Sequence, residues 1–134
     1  MARILVVEDE QMERVLQKAI LEPAGHQVLF APDGERALEM CLNSRLDLVI
    51  TDLAMPGFNG LRFLRELRKA MIGMPVLAIS GKSADQLDLA TDYGADMVLS
   101  KPVDGPRLLS AVDDLLKHGS RNGWDDPWKP KHGR

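Results

Sequence analysis

Side chains that could bind a cation and an anion next to each other follow four short apolar runs in this sequence. Glu8 and Asp9 follow the first run, and Asp52 ends a later one. Ser80 and Lys101 follow two further runs. Three carboxylates in one pocket repel one another unless a cation shares the site, and oxygen ligands favour a hard divalent ion, Mg²⁺ most readily. The hydroxyl and the ammonium beside such an ion would form a cradle for an anion.

Asp52 has the central position in this set. The run Leu48–Ile50 before it is apolar, and Met55–Gly60 after it is rich in turn residues. Such a run predicts a strand buried on both faces of a parallel sheet, with Asp52 at the edge where open α/β sheets bind ligands. Aspartate is also common in ordinary turns, so this stretch alone leaves both interpretations open. Beside a cation and an anion cradle, Asp52 is the expected nucleophile.

Strands and helices alternate five times along the chain. The predicted strands are Ile4–Val7, Gln27–Ala31, the run that ends at Asp52, Val76–Ile79 and Met97–Leu99. Short connections between them predict one parallel sheet covered by helices on both faces. Five strands favour a flavodoxin-like, doubly wound α/β fold with strand order 2-1-3-4-5 and five helices. In that order all the polar residues named above follow carboxyl ends of strands and lie at one edge of the sheet.

The helices are predicted from apolar residues at helical spacing. The expected apolar faces are Met12, Val15, Leu16, Ala19 and Ile20 in the first helix, Ala37, Leu38, Cys41 and Leu42 in the second, Leu61, Leu64, Leu67 and Met71 in the third, and Leu108, Leu109, Val112, Leu115 and Leu116 in the fifth. Ser83 and Gln86 form a capping-box pattern for a weaker fourth helix, which Gly94 ends. Met12 is expected in the core. Arg62, Arg65, Arg68 and Lys69 are expected to form a solvated basic face.

The composition indicates one compact globular domain. The chain has 134 residues, of which 45% are hydrophobic and 28% charged, and its net charge is -3. That charge gives no electrostatic reason to expect nucleic acid or an anionic membrane as a partner. Cys41 is the single cysteine, which excludes an internal disulfide and suits a reducing cytosol. The first ten residues do not form a signal peptide and no apolar run could span a bilayer, so a cytoplasmic protein is expected.

The domain is expected to cover residues 1–118. From Gly119 the composition changes to a segment with two tryptophans, two prolines and no periodicity, and 119–134 is predicted to be a flexible tail. Those residues are too few for a helix-turn-helix or a catalytic module. Direct contact with nucleic acid is therefore not expected.

The ordered set of strand-end motifs closely resembles the receiver domain of two-component response regulators, in particular the single-domain, chemotaxis type. The resemblance covers roughly residues 2–118. It rests on Glu8-Asp9, Asp52 with Met55-Pro56-Gly57, Ser80-Gly81 and Lys101-Pro102. It implies that Asp52 accepts a phosphoryl group from a histidine of a sensor kinase or phosphotransfer protein in a Mg²⁺-dependent reaction, and that the chain is a signalling protein rather than an enzyme.

The same resemblance implies a role for each site residue. Asp9 and Asp52, with the backbone carbonyl of Ala54, would bind Mg²⁺ directly, and Glu8 would act in the same site, often through water. Ser80 would donate a hydrogen bond to a phosphoryl oxygen, and Lys101 would pair with another. The family also implies a cis Lys101-Pro102 bond. Downstream partners, unknown from the sequence, would be proteins, with the chain a monomer or a phosphorylation-dependent homodimer.

One position departs from the family pattern. Receivers usually carry an aromatic residue at the position of Val98, where it swings inward when the hydroxyl residue moves. Valine cannot make that movement, so the output is expected to use a loop or helix movement instead. An alternative is therefore a pseudo-receiver, which acts as an interaction or dimerisation module without phosphorylation. A hydrolase that uses Asp52 on free substrates is a weaker alternative, because no second carboxylate follows Asp52 closely as a general acid.

Overall fold

The computed structural model describes residues 2–53, 60–70, 72–81 and 89–119. In these ranges five parallel strands form one sheet in the order β2-β1-β3-β4-β5. The strands are β1 Arg3–Val7, β2 Gln27–Ala31, β3 Leu48–Asp52, β4 Val76–Ser80 and β5 Met97–Ser100. The predicted flavodoxin-like topology is confirmed.

Helices cover both faces of this sheet. They are α1 Gln11–Leu21, α2 Gly34–Asn43, α3 Gly60–Lys69, α4 at the helical residues 89–92, and α5 Gly105–His118, with a short 3-10 helix Glu22–Ala24 after α1. Asp33 and Asp104 cap α2 and α5, because their side chains accept hydrogen bonds from the backbone N–H groups of Arg36 and Arg107 at 2.8 and 2.7 Å. The predicted capping box of the fourth helix and the turn that follows Asp52 lie outside the described residues.

The central strands are buried because helices pack on both of their faces. Every residue of β3 and of β4 is buried, whereas β5 at the edge is half-exposed. Successive side chains of β1 point to opposite faces, so that Leu5 and Val7 join one hydrophobic cluster while Ile4 and Val6 join the other. This continuous burial is why the strands read as unbroken apolar runs in the sequence.

The expected core position of Met12 is wrong, although Ile20, on the same predicted face of α1, packs against the hydrophobic core. Met12 is 79% exposed, Val15 57% and Leu16 50%, while Gln17 and Leu21 are the buried residues of the helix. Periodicity identifies an apolar face but not the direction in which it points. The three-residue connection from β1 fixes the rotation of α1, and the Arg14 guanidinium anchors its first turn by donating to the Glu8 carbonyl at 2.9 Å.

Two smaller expectations about helix faces are also wrong. Leu42, expected to point inward on α2, is 53% exposed because it lies in the last turn of the helix, beyond the edge of the core. Arg68, expected on a solvated basic face of α3, is only 5% exposed. Arg62, Arg65 and Lys69 are exposed, as predicted. Met71 lies outside the described residues.

Arg68 is buried because it satisfies backbone groups at the amino-terminal end of the sheet. Its guanidinium donates five hydrogen bonds, to the carbonyls of Ile72, Met74 and Gly94 (twice) and to the Asp96 carboxylate. Gly94 has a positive φ of 114°, and a Cβ there would lie 2.6 Å from Arg68 Cγ. Glycine is thus required at this turn both by its conformation and by the close approach of Arg68.

None of the helices in the described ranges is long and apolar enough to cross a membrane.

Candidate functional site

The carboxyl ends of the strands bring the predicted site residues to one edge of the sheet. The register pairs Asp52 with Ile79 and Ser80 with Ser100. Just beyond this register, the Leu53 N–H donates to the Ile79 carbonyl at 3.0 Å, and the Lys101 N–H donates to the Ser80 carbonyl at 2.9 Å. Backbone pairing of the parallel strands therefore places these polar residues at one edge of the sheet.

Asp52 and Lys101 form the central ion pair of the site. Lys101 Nζ lies 2.9 Å from Asp52 Oδ2, and the Asp52 side chain is only 4% exposed. Burial by itself lowers the pKa of Lys101, but the hydrogen bond and charge of Asp52, together with the charges of Glu8 and Glu13, raise that pKa above its ordinary value. The lysine is therefore a stable cation beside the predicted nucleophile.

Glu8 is fully buried beside this pair. Its Oε2 accepts a hydrogen bond from the Glu10 backbone N–H at 3.2 Å, but its Oε1 has no hydrogen-bond partner within the described part of the chain. Burial, and then the negative charge of Asp52, raise the pKa of Glu8 from 4.5 to about 8. A buried carboxylate oxygen without a partner is costly, and a cation would remove that cost.

Asp9 lies at the exposed rim of the site. One carboxylate oxygen of each of Glu8, Asp9 and Glu10 lies within 4.8 Å of the others, a spacing that could hold a metal ion. Glu10 was not predicted as a site residue, although it continues the acidic run Glu8-Asp9 and could have been found there. It is exposed, whereas Glu8 is buried, so the acidic cluster extends from the core to solvent.

Four further predictions concern Ser80, Ala54, the Lys101-Pro102 bond and Val98. Ser80 is fully buried at the end of β4, the strand next to β3, which ends at Asp52. The backbone carbonyl of Ala54 lies outside the described residues. The Lys101-Pro102 peptide bond is cis, as the resemblance implied. Val98 is half-buried and packs against the hydrophobic cluster that contains Phe63, on the face of the sheet covered by α2 and α3.

Comparison with known proteins identifies the family. A family model described as the response regulator receiver domain matches residues 4–113. The chain belongs to the response regulator receiver family. A receiver domain is a signalling module of two-component systems rather than a classical enzyme, and receiver domains act with histidine kinases.

The relatives of this receiver domain include both short and long proteins. Protein PilH of Pseudomonas aeruginosa is 36% identical over 87% of this chain and 98% of its own length. The sensory/regulatory protein RpfC of Xanthomonas campestris is 36% identical over 84% of this chain but only 16% of its own length. The chain spans about half the length of several other curated relatives that it matches.

A solved structure resembles this receiver domain over most of its length. The crystal structure of response regulator protein TrrA from Thermotoga maritima, in complex with Mg²⁺-BeF, has a TM-score of 0.78 and 35% identity. It covers 86% of this chain and 99% of TrrA.

Proposed function

We propose that this receiver domain accepts a phosphoryl group on Asp52 from a phosphohistidine of a sensor kinase or phosphotransfer protein, in a Mg²⁺-dependent reaction, and relays the signal by protein–protein contact. The observation that carries this proposal is the buried Asp52 carboxylate, paired with the Lys101 ammonium at 2.9 Å and next to the buried Glu8. This combination offers a nucleophile, a cation for the incoming charge and a set of oxygen ligands at one edge of the sheet.

The residues present fit a magnesium ion. Glu8 has a buried oxygen without a partner among the described residues, its pKa is raised by burial and by Asp52, and Asp9 and Glu10 lie beside it. We propose that Asp9, Asp52 and the Ala54 carbonyl hold the ion, with Glu8 in the same site. When bound, the ion would neutralise part of the negative charge of the transferred group.

The protein's own residues supply the rest of the chemistry. An Asp52 oxygen forms the new bond to phosphorus, the bond from phosphorus to the donor histidine nitrogen breaks, and that imidazole leaves with the bonding electron pair. Lys101 pairs with one phosphoryl oxygen, and the Ser80 hydroxyl donates a hydrogen bond to another. Because Asp52 and Ser80 are buried, these interactions act where water screens them least.

The phosphoryl group would shift the population between two conformations. It draws Ser80 and Lys101 towards Asp52 and so favours the conformation in which their loops lie closer to the site. Val98 replaces the usual aromatic side chain, so we propose that the output uses movement of a loop or helix at this edge of the sheet. The signal would pass to a protein partner in the cytoplasm.

We also propose how the chain is divided. Residues 1–118 form the receiver domain and 119–134 a flexible tail, with the domain either monomeric or dimeric on phosphorylation. Gly119 ends α5 with a positive φ of 71°. Limited proteolysis should cut after that residue first.

Intact mass measurement tests the phosphoacceptor directly. The native chain, Asp52→Asn and the control Asp113→Asn, which changes an exposed carboxylate of α5, are incubated with acetyl phosphate and Mg²⁺. We expect one phosphoryl group on the native chain and on the control, none on Asp52→Asn, and none on any of them in EDTA. If the native chain gains no phosphoryl group, and gains none from a cognate kinase, the pseudo-receiver is the better description.

A further inference from the structure

We propose that Glu13, in the first turn of α1, is a positioning residue that competes with a phosphoryl group for the Lys101 ammonium. The inference depends on the proposed function of Asp52 as the phosphoacceptor. Glu13 would then be a residue of the site that does not lie at a strand end, and α1 would be part of the site.

The contact that carries this inference joins α1 to the loop after β5. Lys101 Nζ lies 3.5 Å from Glu13 Oε1 and 2.9 Å from Asp52 Oδ2, so one ammonium bridges two carboxylates on different elements. The side chains of Glu13 and Lys101 are 30% and 26% exposed. They line a groove between α1 and α5 together with Leu16, Gln17, Ile20, Ile79, Val103 and Leu108.

The backbones that carry the two side chains are fixed by other bonds. Arg14, next to Glu13, holds the start of α1 to the Glu8 carbonyl at 2.9 Å. The backbone N–H of Lys101 donates to the Ser80 carbonyl at 2.9 Å. The lysine stem passes over Gly81, where a Cβ would lie 3.6 Å from Lys101 Cδ. The part of this contact that can change most easily is therefore the position of the ammonium between the two carboxylates.

The charges decide the direction of the effect. A phosphoryl group on Asp52 carries up to two negative charges and is stabilised by the Lys101 ammonium. Glu13 competes for this ammonium, because it forms an ion pair with the same nitrogen. The Glu13 carboxylate also repels that group, because it lies beside the same ammonium. Removing this one negative charge should raise the affinity of the Asp52 site for an anion by about two- to fivefold, as expected for a partly exposed ion pair.

The same competition would connect the site with α1. When an anion on Asp52 takes the ammonium, Glu13 loses a partner and the first turn of α1 changes its environment. That turn carries Met12, which is 79% exposed and next to Glu13 in the chain. This route does not require an aromatic residue on β5, where this chain has Val98.

Beryllofluoride, which imitates a phosphoryl group on a carboxylate, tests the inference at saturating Mg²⁺. Its apparent affinity is measured by ¹⁹F NMR for the native chain, Glu13→Gln, the charge-preserving Glu13→Asp, and the control Glu22→Gln. Glu22 follows α1, about 14 Å further along the helix axis at 1.5 Å per residue, which exceeds the Debye length of about 8 Å at physiological salt. Native and variant melting temperatures are compared first to exclude a loss of folding.

We expect Glu13→Gln to bind beryllofluoride about two- to fivefold more tightly than the native chain, Glu13→Asp to resemble the native chain, and Glu22→Gln to change nothing. The advantage of Glu13→Gln should shrink in 0.5 M salt, since exposed charges are screened. Backbone amide shifts of α1 on binding should also be smaller in Glu13→Gln. Equal or weaker binding by Glu13→Gln, or an advantage that salt does not reduce, would overturn the inference.

A separate measurement distinguishes this inference from the proposed function. The rate at which Lys101 is acetylated by acetic anhydride, measured by peptide mass analysis without any phosphoryl donor, should rise in Glu13→Gln and not in Glu22→Gln. If the native chain is not phosphorylated, the proposed function fails. Independently of that result, an acetylation rate of Lys101 that is the same in Glu13→Gln as in the native chain shows that Glu13 does not hold the ammonium. A phosphorylated native chain with an unchanged Lys101 rate and affinity overturns the Glu13 inference alone.

Discussion

Replacing Arg68 by methionine should destabilise the domain strongly without changing the chemistry at Asp52. The guanidinium donates five hydrogen bonds in a site where the Arg68 side chain is 5% exposed and the Asp96 side chain fully buried. Methionine keeps much of the apolar stem but removes every one of these donors. The buried Asp96 carboxylate keeps the hydrogen bond from the Val76 N–H at 2.8 Å and loses its ion pair with Arg68.

The expected loss is large compared with the stability of a domain. Removing one partner from a buried ion pair costs about 3–5 kcal/mol, out of a total unfolding free energy of about 5–15 kcal/mol. At about 4 °C per kcal/mol, the melting temperature should fall by roughly 12–20 °C. Burial lowers the pKa of Arg68 from its ordinary value, and the nearby Asp96 carboxylate opposes part of that shift. An arginine side chain stays charged in a protein at neutral pH.

Urea unfolding followed by circular dichroism measures the loss, with Arg65→Met as the matched control on the same helix. Arg65 is exposed, so that variant should change the unfolding free energy by less than about 0.5 kcal/mol. A double-mutant cycle with Asp96→Asn should show a coupling of at least about 1 kcal/mol, since the two charges share one buried site. A loss below about 1 kcal/mol in Arg68→Met, or additive effects in the cycle, would refute the assignment of Arg68 to the core.

Phosphorylation provides a second check on the same variant. Arg68 contacts residues before β4 and β5, at the opposite end of the strands from Asp52. Below its melting temperature, Arg68→Met should therefore accept a phosphoryl group as the native chain does. A folded Arg68→Met that cannot be phosphorylated would indicate a connection between the two ends of the sheet that the contacts do not suggest.

Three further predictions concern packing and ionisation. Gly60→Ala should cost about 1–3 kcal/mol in urea unfolding, because its Cβ would clash with the Asp52 carbonyl oxygen. Gly105→Ala should cost nothing, because its Cβ would have no atom of the described residues nearer than 3.8 Å, and equal effects would contradict this. Cys41 is buried and its pKa is raised to about 12, so a thiol reagent should label it only when urea unfolds the chain, and fast native labelling would be inconsistent with burial. In EDTA, the pKa of Glu8 is about 8 in the folded state against 4.5 for an ordinary glutamate, so the folded state binds a proton that the unfolded state releases. The melting temperature of the native chain should therefore fall as the pH rises from 4.5 to 8. The melting temperature of Glu8→Gln should fall less over the same range.

Local patterns predicted most of the fold because its strands are buried on both faces. Apolar runs that end in charged or hydroxyl residues marked four of the five strands, and β2 was marked by an apolar run before the Pro32-Asp33-Gly34 turn. Asp33 and Asp104 marked the starts of two helices. The predicted strand order followed from alternation alone, since right-handed crossovers leave few other arrangements. The same reasoning brought Asp52 and Lys101 to one edge, and they form a 2.9 Å ion pair there.

Helix orientation and the identity of buried charges could not be predicted in this way. The spacing of Met12, Val15 and Leu16 indicated an apolar face, but in the fold these three side chains are exposed and Gln17 and Leu21 are the buried residues of α1. Arg68 looked like one member of a basic face, because its buried acceptors are carbonyls and a carboxylate from segments up to 28 residues away. No local pattern signals such a partner set.

The sequence by itself thus determined the alternation of strands and helices and the position of the polar residues, Asp52 and Lys101 among them, at the strand ends. Tertiary structure alone decided which face of α1 meets solvent, that Arg68 is a core residue, and that Glu13 reaches the ammonium of Lys101. The physical reason is the range of the interactions. Backbone propensity and burial on two faces leave a signal within a few neighbouring residues, whereas these contacts join side chains that only folding brings together.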